Sequence, residues 1–136
     1  MIKEDIRLAL ENIKFSSAPY SNFNVSAVLS AKNGKKYTGV NIESASFTPT
    51  ICAERVAIFK AVSEGVKEFS RIVIVGGLDG IVKELTPPCG VCRQVMMDYC
   101  DPKTFEIVIA VDEDNYAIYT LEELLPKGFG PKDLEG

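Results

Sequence analysis

Two short stretches of the sequence concentrate side chains that can bind a metal ion and move protons. Cys89 and Cys92 are three residues apart, and Cys52 is followed two residues later by Glu54. Three thiolates can bind zinc and leave its fourth tetrahedral position to water, as in catalytic sites. A carboxylate beside such an ion can carry protons to and from reacting atoms. The pattern favours a catalytic zinc site with Cys52, Cys89 and Cys92 as ligands and Glu54 as the proton carrier.

The Cys89–Cys92 pair alone is ambiguous, because the same spacing fits a structural zinc site or a thioredoxin-like redox pair. A redox pair has no use for a third thiolate, and a closed zinc site needs a fourth ligand. Cys100 lies eight residues beyond Cys92 on the same predicted helix, ~12 Å further along its axis. We therefore predict that Cys100 is a small core residue and that the metal keeps an open position.

Composition restricts the class of protein further. The chain has no histidine, which excludes the usual serine and cysteine hydrolase triads. Its net charge of −4 and pI of about 4.9 give no basic surface for a nucleic acid. The opening segment, residues 1–15, contains no apolar run typical of a signal peptide or a membrane span. These features predict a cytoplasmic protein without a nucleic-acid or membrane partner, acting on a small molecule.

The candidate metal ligands fall at the starts of two predicted helices. One helix is predicted over Ala53–Val66, with Gly65 near its end, and another starts close to Cys89 after Pro87-Pro88. Free amides and the helix dipole at such N-termini favour thiolates. Side chains of a first turn lean towards the N-terminus. Residues Cys52 and Glu54 can therefore both approach an ion that lies beyond the helix.

The rest of the chain alternates between helical and strand patterns without repeats or linkers. A helix is predicted over Ile2–Ile13, and Thr120 with Glu123 forms a capping box that opens a short last helix. Strands are predicted at Phe23–Leu29 and Lys36–Val40 around an Asn-Gly turn, at Ile72–Val75, at Ile107–Val111 and at Tyr116–Tyr119. We predict an α/β fold: one three-layer domain over residues 1–136, with a mixed five-stranded sheet and helices on both faces.

The segments TICAERVA (residues 50–57) and TPPCGVCRQVMMDYC (residues 86–100) together resemble the cytidine deaminase family in its three-cysteine form. The resemblance extends over residues 18–25, 39–43 and 123–126, in the order found in that family. It implies one zinc ion per subunit and a non-ligand glutamate, here Glu54, as proton carrier. The implied reaction is hydrolysis of cytidine or 2′-deoxycytidine to the uracil nucleoside and ammonia, in pyrimidine salvage.

The resemblance also implies roles for residues around the metal. Asn41 and Glu43 would bind the ribose hydroxyls, and Phe23 would pack against the pyrimidine ring. Independently of the resemblance, the backbone amides of Ala53 and Cys89 lack helical partners at the starts of their helices and can hold the attacking oxygen. Arg55 would offset the negative charge of a zinc ion bound by three thiolates.

At the level of assembly, the resemblance implies a homotetramer with sites at the subunit interfaces, where Phe129 would reach a neighbouring subunit's site. Ser26 and Phe47 depart from the glycine and tyrosine usual in the family, and the second change predicts weaker binding at the 5′ end of the sugar. Three alternatives remain: deamination of a cytidine-like antibiotic such as blasticidin S, in a related family that differs around Glu43; a zinc-binding module without activity; and a redox protein with a reversible Cys89–Cys92 disulfide.

Overall fold

Five strands form one mixed sheet in the computed structural model, which describes residues 1–135. The strands are β1 (Phe23–Ala31), β2 (Lys36–Val40), β3 (Phe69–Leu78), β4 (Glu106–Asp112) and β5 (Asn115–Thr120). Their order across the sheet is β2-β1-β3-β4-β5, and only the β3–β4 pair is parallel. The mixed five-stranded sheet is confirmed. Gly136, the last residue of the predicted domain, lies outside the described residues.

Helices cover both faces of this sheet, which confirms the predicted layers. They are α1 (Ile2–Asn12), continued by a 3-10 turn over Ile13–Phe15, α2 (Ala53–Ser63), α3 (Gly90–Tyr99), α4 (Leu121–Leu124) and α5 (Pro131–Leu134). Thr120 and Glu123 form the predicted capping box at α4, but α5 follows, so α4 is not the last helix. None of the helices within residues 1–135 has the length and apolar character needed to cross a membrane.

The central strand β3 shows why the sheet needs helices on both sides. Successive side chains of a strand point to opposite faces. Val73 and Val75 pack with Ile6 of α1 in one core, whereas Ile72 and Ile74 belong to the core beneath α2 and α3. All four strand residues are fully buried. A continuous β-branched run therefore predicted a doubly covered strand correctly.

Helix α2 is held close to the sheet by a glycine and ended by another. A Cβ atom at Gly39 of β2 would lie 2.3 Å from the carbonyl oxygen of Ala53, so only glycine allows this approach. At the other end, the amides of Gly65 and Val66 bond back to the carbonyls of Val62 and Ala61, with Gly65 at φ +86°. This is the Schellman arrangement. It ends α2 three residues earlier than the predicted Val66.

Candidate metal centre and active site

The predicted site residues gather at one end of the sheet. Phe23, at the start of β1, pairs with Leu78 at the end of β3, and Val40, at the end of β2, pairs with Ser26 nearby. Helices α2 and α3 follow β2 and β3 along the chain and begin at this same end. Irregular segments at strand ends commonly carry function in α/β proteins. The fold thus places both metal-binding stretches beside the start of β1.

Three sulfur atoms form a compact cluster between α2 and α3. The Sγ atoms of Cys52 and Cys89 are 3.6 Å apart, those of Cys89 and Cys92 are 3.5 Å apart, and all three lie within 4.8 Å of one another. A disulfide would bring two sulfurs to about 2.0 Å, and all three cysteines are free. Tetrahedral thiolates at the usual Zn–S distance of about 2.3 Å are about 3.8 Å apart. The cluster therefore fits one zinc ion.

Helix N-termini supply two of these sulfurs. Cys52 is the N-cap of α2 and Cys89 the N-cap of α3, where the Cys89 sulfur accepts a hydrogen bond from the Cys92 amide at 3.4 Å. The thiol of Cys92 and the guanidinium of Arg55 hold the pKa of Cys52 at about 5. The same contact with Cys52, together with burial, raises the pKa of Cys92. Three thiolates at this distance therefore need a cation among them.

Glu54 lies in the first turn of α2 and is almost completely buried, at 3% exposure. Its Oε1 atom has no hydrogen-bond partner among residues 1–135. Burial, reinforced by negative charge on Cys52, raises the pKa of Glu54 to about 7. A buried carboxyl oxygen without a hydrogen-bond partner costs folding free energy, and such groups concentrate at functional sites.

Arg55 contacts the cluster directly. Its Nη2 donates to the Cys52 sulfur at 3.3 Å, so the guanidinium charge lies against one of the three thiolates. Charge-assisted hydrogen bonds of this kind stabilise the ionised acceptor. The position agrees with the charge-offsetting role expected of Arg55, which stays a prediction.

Asn41 and Glu43 both bind the segment that leads into β1. The Asn41 side chain accepts from the Val25 amide at 2.9 Å and from the Ser16 hydroxyl, and it donates to the Phe23 carbonyl at 2.8 Å. Glu43 accepts from the amides of residues 20 and 21 at 2.9 and 3.1 Å and from the Ser21 hydroxyl. One amide hydrogen of Asn41 and part of the Glu43 carboxylate remain for a ligand.

Phe23 borders a cavity at the same end of the sheet. The cavity has a volume of about 490 Å³, and its wall also includes Gly76, Thr86 and Pro87. It thus extends to within two residues of Cys89 along the chain. The volume lies in the range of small-molecule sites. Whether Phe23 contacts a pyrimidine ring there stays a prediction.

The other residues singled out from the sequence lie around this site or in the core. The Phe129 ring is mostly exposed, and its carbonyl accepts from Gln94 Nε2 at 2.7 Å. Ser26 is fully buried, and its hydroxyl has no partner within residues 1–135. Phe47 is exposed and packs edge-on against Tyr20, with ring centroids 6.0 Å apart. Cys100 is buried in the core beneath α2 and α3, as predicted.

Four polar residues near the site were not found from the sequence. Arg93 donates to the carbonyl of Pro88, before α3, and to that of Leu124, in α4. Gln94 donates to the carbonyl of Phe129. The hydroxyls of Ser16 and Ser21 donate to the side chains of Asn41 and Glu43, respectively. The only signal was their proximity to motif residues in the chain. Their partners are distant in sequence, so composition and periodicity could not indicate them.

Comparison with known proteins identifies the family. Residues 2–108 match the family described as the cytidine and deoxycytidylate deaminase zinc-binding region. The chain belongs to this family. It is 40% identical over 116 residues to the cytidine deaminase of Sporosarcina psychrophila, covering 85% of this chain and 82% of that protein. It is 39% identical over 129 residues to that of Halalkalibacterium halodurans, covering 95% and 94%.

A solved structure shows the same fold. The crystal structure of cytidine deaminase from Burkholderia pseudomallei superposes with a TM-score of 0.83 at 37% identity, covering 93% of this chain and 97% of that one. The predicted cytidine deaminase-like fold is therefore confirmed. So is the predicted cofactor, because the family's zinc-binding region includes the three cysteines that the fold brings together. In this deaminase family member, zinc is held by Cys52, Cys89 and Cys92.

Proposed function

We propose that this chain hydrolyses cytidine and 2′-deoxycytidine to the corresponding uracil nucleoside and ammonia, as one catalytic domain over residues 1–136. The observation that carries the proposal is the buried carboxyl group of Glu54, whose Oε1 atom has no partner within residues 1–135, two residues after a zinc ligand. A structural zinc site has no use for such a group. The relatives at 39% and 40% identity are named cytidine deaminases.

Zinc bound at the three cysteines supplies Lewis-acid chemistry that makes water nucleophilic near neutral pH. Glu54 accepts a proton from the attacking water and passes it to N3 of the pyrimidine as the new bond to C4 forms. Glu54 then takes the proton of the new C4 hydroxyl and delivers it to the amino nitrogen, so that the C4 carbonyl forms as the C4–N bond breaks and ammonia leaves. Without a cation the pKa of Glu54 is about 7. A cation at the sulfurs favours its carboxylate form, which can accept the first proton.

Two features of the chain support this proton transfer. Arg55 offsets the excess negative charge of three thiolates through its contact with Cys52. The amide of Ala53, in the first turn of α2, has no carbonyl partner within its helix, and the amide of the N-cap residue Cys89 precedes its own helix. Both amides can donate to the oxygen that adds to C4.

The sugar is recognised by residues that also shape the start of β1. Asn41 retains one amide hydrogen as a donor, and Glu43 retains acceptor capacity. Of two adjacent ribose hydroxyls, one can accept a hydrogen bond from the Asn41 amide and the other can donate one to the Glu43 carboxylate. The Ser21 hydroxyl and the backbone amides of residues 20 and 21 lower the pKa of Glu43, so its carboxylate is ionised at neutral pH. Phe23 supplies the apolar wall for the base.

We further propose that the active form is a homotetramer. Phe47 and Phe129 are 69% and 56% exposed, and Tyr20 beside Phe47 is 53% exposed. Large aromatic side chains exposed next to a site are typical of interfaces. In the tetramer Phe129 would close the site of a neighbouring subunit. Size-exclusion chromatography with light scattering tests this by the mass of the particle.

The activity is tested by Glu54→Gln. This change keeps the shape of the side chain but removes its proton transfer, so we expect normal zinc content and a loss of turnover of about a thousandfold or more. Ammonia release is measured with cytidine, 2′-deoxycytidine and blasticidin S, and zinc is counted per chain. Glu64→Gln, at the far end of the same helix, is the matched control and should keep wild-type turnover.

Each alternative predicts a different result. A zinc module without activity would bind the metal and release no ammonia from any substrate. Turnover of blasticidin S alone would identify an antibiotic deaminase. A Glu54→Gln protein with wild-type turnover would contradict the proposed role of Glu54, whatever the substrate.

A further inference from the structure

The segment that leads into the metal-binding helix α3 is fixed by few hydrogen bonds. Residues 82–88 lie between β3 and α3 and make no backbone–backbone hydrogen bond within the part of the chain that the structure describes. The Thr86 hydroxyl donates to the Gly76 carbonyl at 3.2 Å, and the Pro88 carbonyl accepts from Arg93 Nε at 2.9 Å. In the segment before α3, the hydrogen bond nearest to Cys89 is therefore the one that the Arg93 side chain donates to the Pro88 carbonyl.

Among the three zinc ligands, Cys89 depends most on this segment. Cys92 is fully buried within α3, and Cys52 is partly buried at the start of α2, whereas Cys89 is exposed. Side-chain packing therefore restrains Cys89 least. Apart from the buried Pro88 before it, the restraints on Cys89 are the hydrogen bonds on either side of it and the close contacts of its sulfur with both other sulfurs.

Arg93 binds the backbone before and at Cys89. Its amide donates to the Cys89 carbonyl at 3.0 Å, as the first helical bond of α3, and its side chain holds the preceding carbonyl, that of Pro88. A third bond runs from Nη1 to the carbonyl of Leu124, the last residue of α4, at 2.6 Å. Arg93 makes no ion pair within residues 1–135. Its guanidinium is therefore directed at two carbonyls and at no carboxylate.

We propose that Arg93 is a positioning residue of the metal centre. It connects the Pro88 carbonyl to the end of α4 and so fixes the N-terminus of α3 and the Cys89 sulfur at the distance that zinc requires. The planar guanidinium presents several donors in a fixed geometry, which a lysine ammonium on a flexible stem does not reproduce. Replacing a residue that orients a metal ligand commonly lowers metal affinity by roughly 10- to 100-fold. The proposal rests on the three-cysteine zinc site and not on the substrate.

The test compares Arg93→Lys with the wild-type protein by two readouts that do not use activity. Zinc-loaded protein is mixed with a coloured zinc chelator, and the release rate is followed; we expect release about tenfold faster in the variant. In cobalt-loaded protein, the visible bands report the geometry of the thiolate ligands, and we expect them to shift or weaken. If Arg93→Lys does not fold, Arg93→Gln is measured in the same way.

Two control variants separate this role from general stability. Arg71→Lys removes another forked arginine contact, to Glu106, at the opposite end of β3. Gln94→Ala removes the bond from α3 to the Phe129 carbonyl. Both should release zinc at the wild-type rate. Unchanged release and cobalt spectra in Arg93→Lys, with only a lower melting temperature, would overturn the proposal and leave Arg93 as a link between α3 and α4. If Arg93→Lys released zinc faster but the wild-type protein deaminated no nucleoside, the positioning role of Arg93 would be supported and only the proposed function would be refuted.

Discussion

At Glu43 a single carboxylate organises the chain before β1. It accepts two backbone amides and the hydroxyl of Ser21, and these donors lower its pKa, with the Ser21 hydroxyl as the largest cause. A carboxyl group whose pKa is lowered by folding stabilises the folded state at any pH above its pKa in the unfolded chain. This stabilisation is lost as the pH falls through its pKa in the folded protein. Glu43 therefore favours the folded segment at neutral pH as well as facing the proposed sugar site.

Ser21→Ala should raise the pKa of Glu43 towards its ordinary value, because the carboxylate loses its main donor and keeps the two amides. The pKa can be read from a carbon-13 NMR titration of the glutamate carboxyl signals. We also expect a raised KM for cytidine, since a less ordered Glu43 binds hydroxyls less well. Ser70→Ala, which removes a hydroxyl bound to the Ser30 carbonyl on β1, is the control. An unchanged Glu43 pKa in Ser21→Ala would show that the Ser21 hydroxyl is not the main cause of the lowered pKa.

The sequence predicted individual site residues only where a motif restricts their type and spacing. Cys52, Cys89 and Cys92 could be identified because zinc restricts both the residue types and the spacing. The bond that Asn41 donates to the Phe23 carbonyl and the one that it accepts from the Val25 amide were not foreseeable, because they depend on how β1 and the end of β2 meet. The same applies to Arg93, whose side chain joins residues 88 and 124.

On the scale of elements, the zinc site depends on how closely α2 approaches the sheet. Gly39 of β2 faces the first turn of α2, where an added Cβ would lie 2.3 Å from the Ala53 carbonyl oxygen and 2.6 Å from the Ala57 amide. Both neighbours are backbone atoms and cannot rotate away. Any larger residue must therefore displace the N-terminus of α2, which carries Cys52 and Glu54.

Gly39→Ala should lower the free energy of unfolding by about 2–3 kcal/mol, in the upper range for overpacked cores. Zinc affinity should fall as well, because Cys52 moves with the helix. Urea unfolding of zinc-free protein and a chelator titration measure the two effects. Gly90→Ala is the matched change, since its Cβ would meet nothing within 4 Å. Equal stability of the two variants would show that α2 is not held against β2 at Gly39.

The elements themselves were largely predictable from local signals. The β-branched run in β3, the Asn-Gly turn and the capping box at Thr120 each determined the element they mark. The α5 helix was missed because its four residues, Pro131–Leu134, are too few to show a helical period. The early end of α2 was misjudged by three residues, since the Schellman bonds of Gly65 and Val66 are set by the folded backbone.

Across the whole molecule, the two faces of the sheet are held in different ways. Helix α1 is fixed by its own apolar core and by buried Asp5, whose carboxylate binds Lys36 Nζ at 2.6 and 2.7 Å and the Ser30 hydroxyl at 3.3 Å. On the opposite face, Cys52 of α2 and Cys89 and Cys92 of α3 share the metal. Zinc thus joins two helices that are separate in the chain. Its removal therefore affects how α2 and α3 are held on this face of the sheet.

Removing zinc should therefore expose particular thiols without unfolding the core. In zinc-loaded protein we expect little alkylation by iodoacetamide, because coordinated thiolates are poor nucleophiles. After chelation, Cys89, which is exposed, and Cys52, with a pKa of about 5, should react first. Cys92 is fully buried, and burial raises the pKa of Cys100 to about 12, so both should react slowly. The melting temperature should fall and recover when zinc is restored, because the ion binds the folded state alone.

Mass spectrometry of the labelled peptides gives the order of reaction, and protein unfolded in urea, where all 4 cysteines react, gives the reference. Rapid labelling of Cys52 and Cys89 before chelation would show that these thiols do not bind the metal. Labelling of Cys100 together with them after chelation would show instead that the core beneath α2 and α3 opens when zinc leaves. The described packing predicts that this core stays closed, because Phe105, Ile107 and Met96, none of which binds the metal, are fully buried in it.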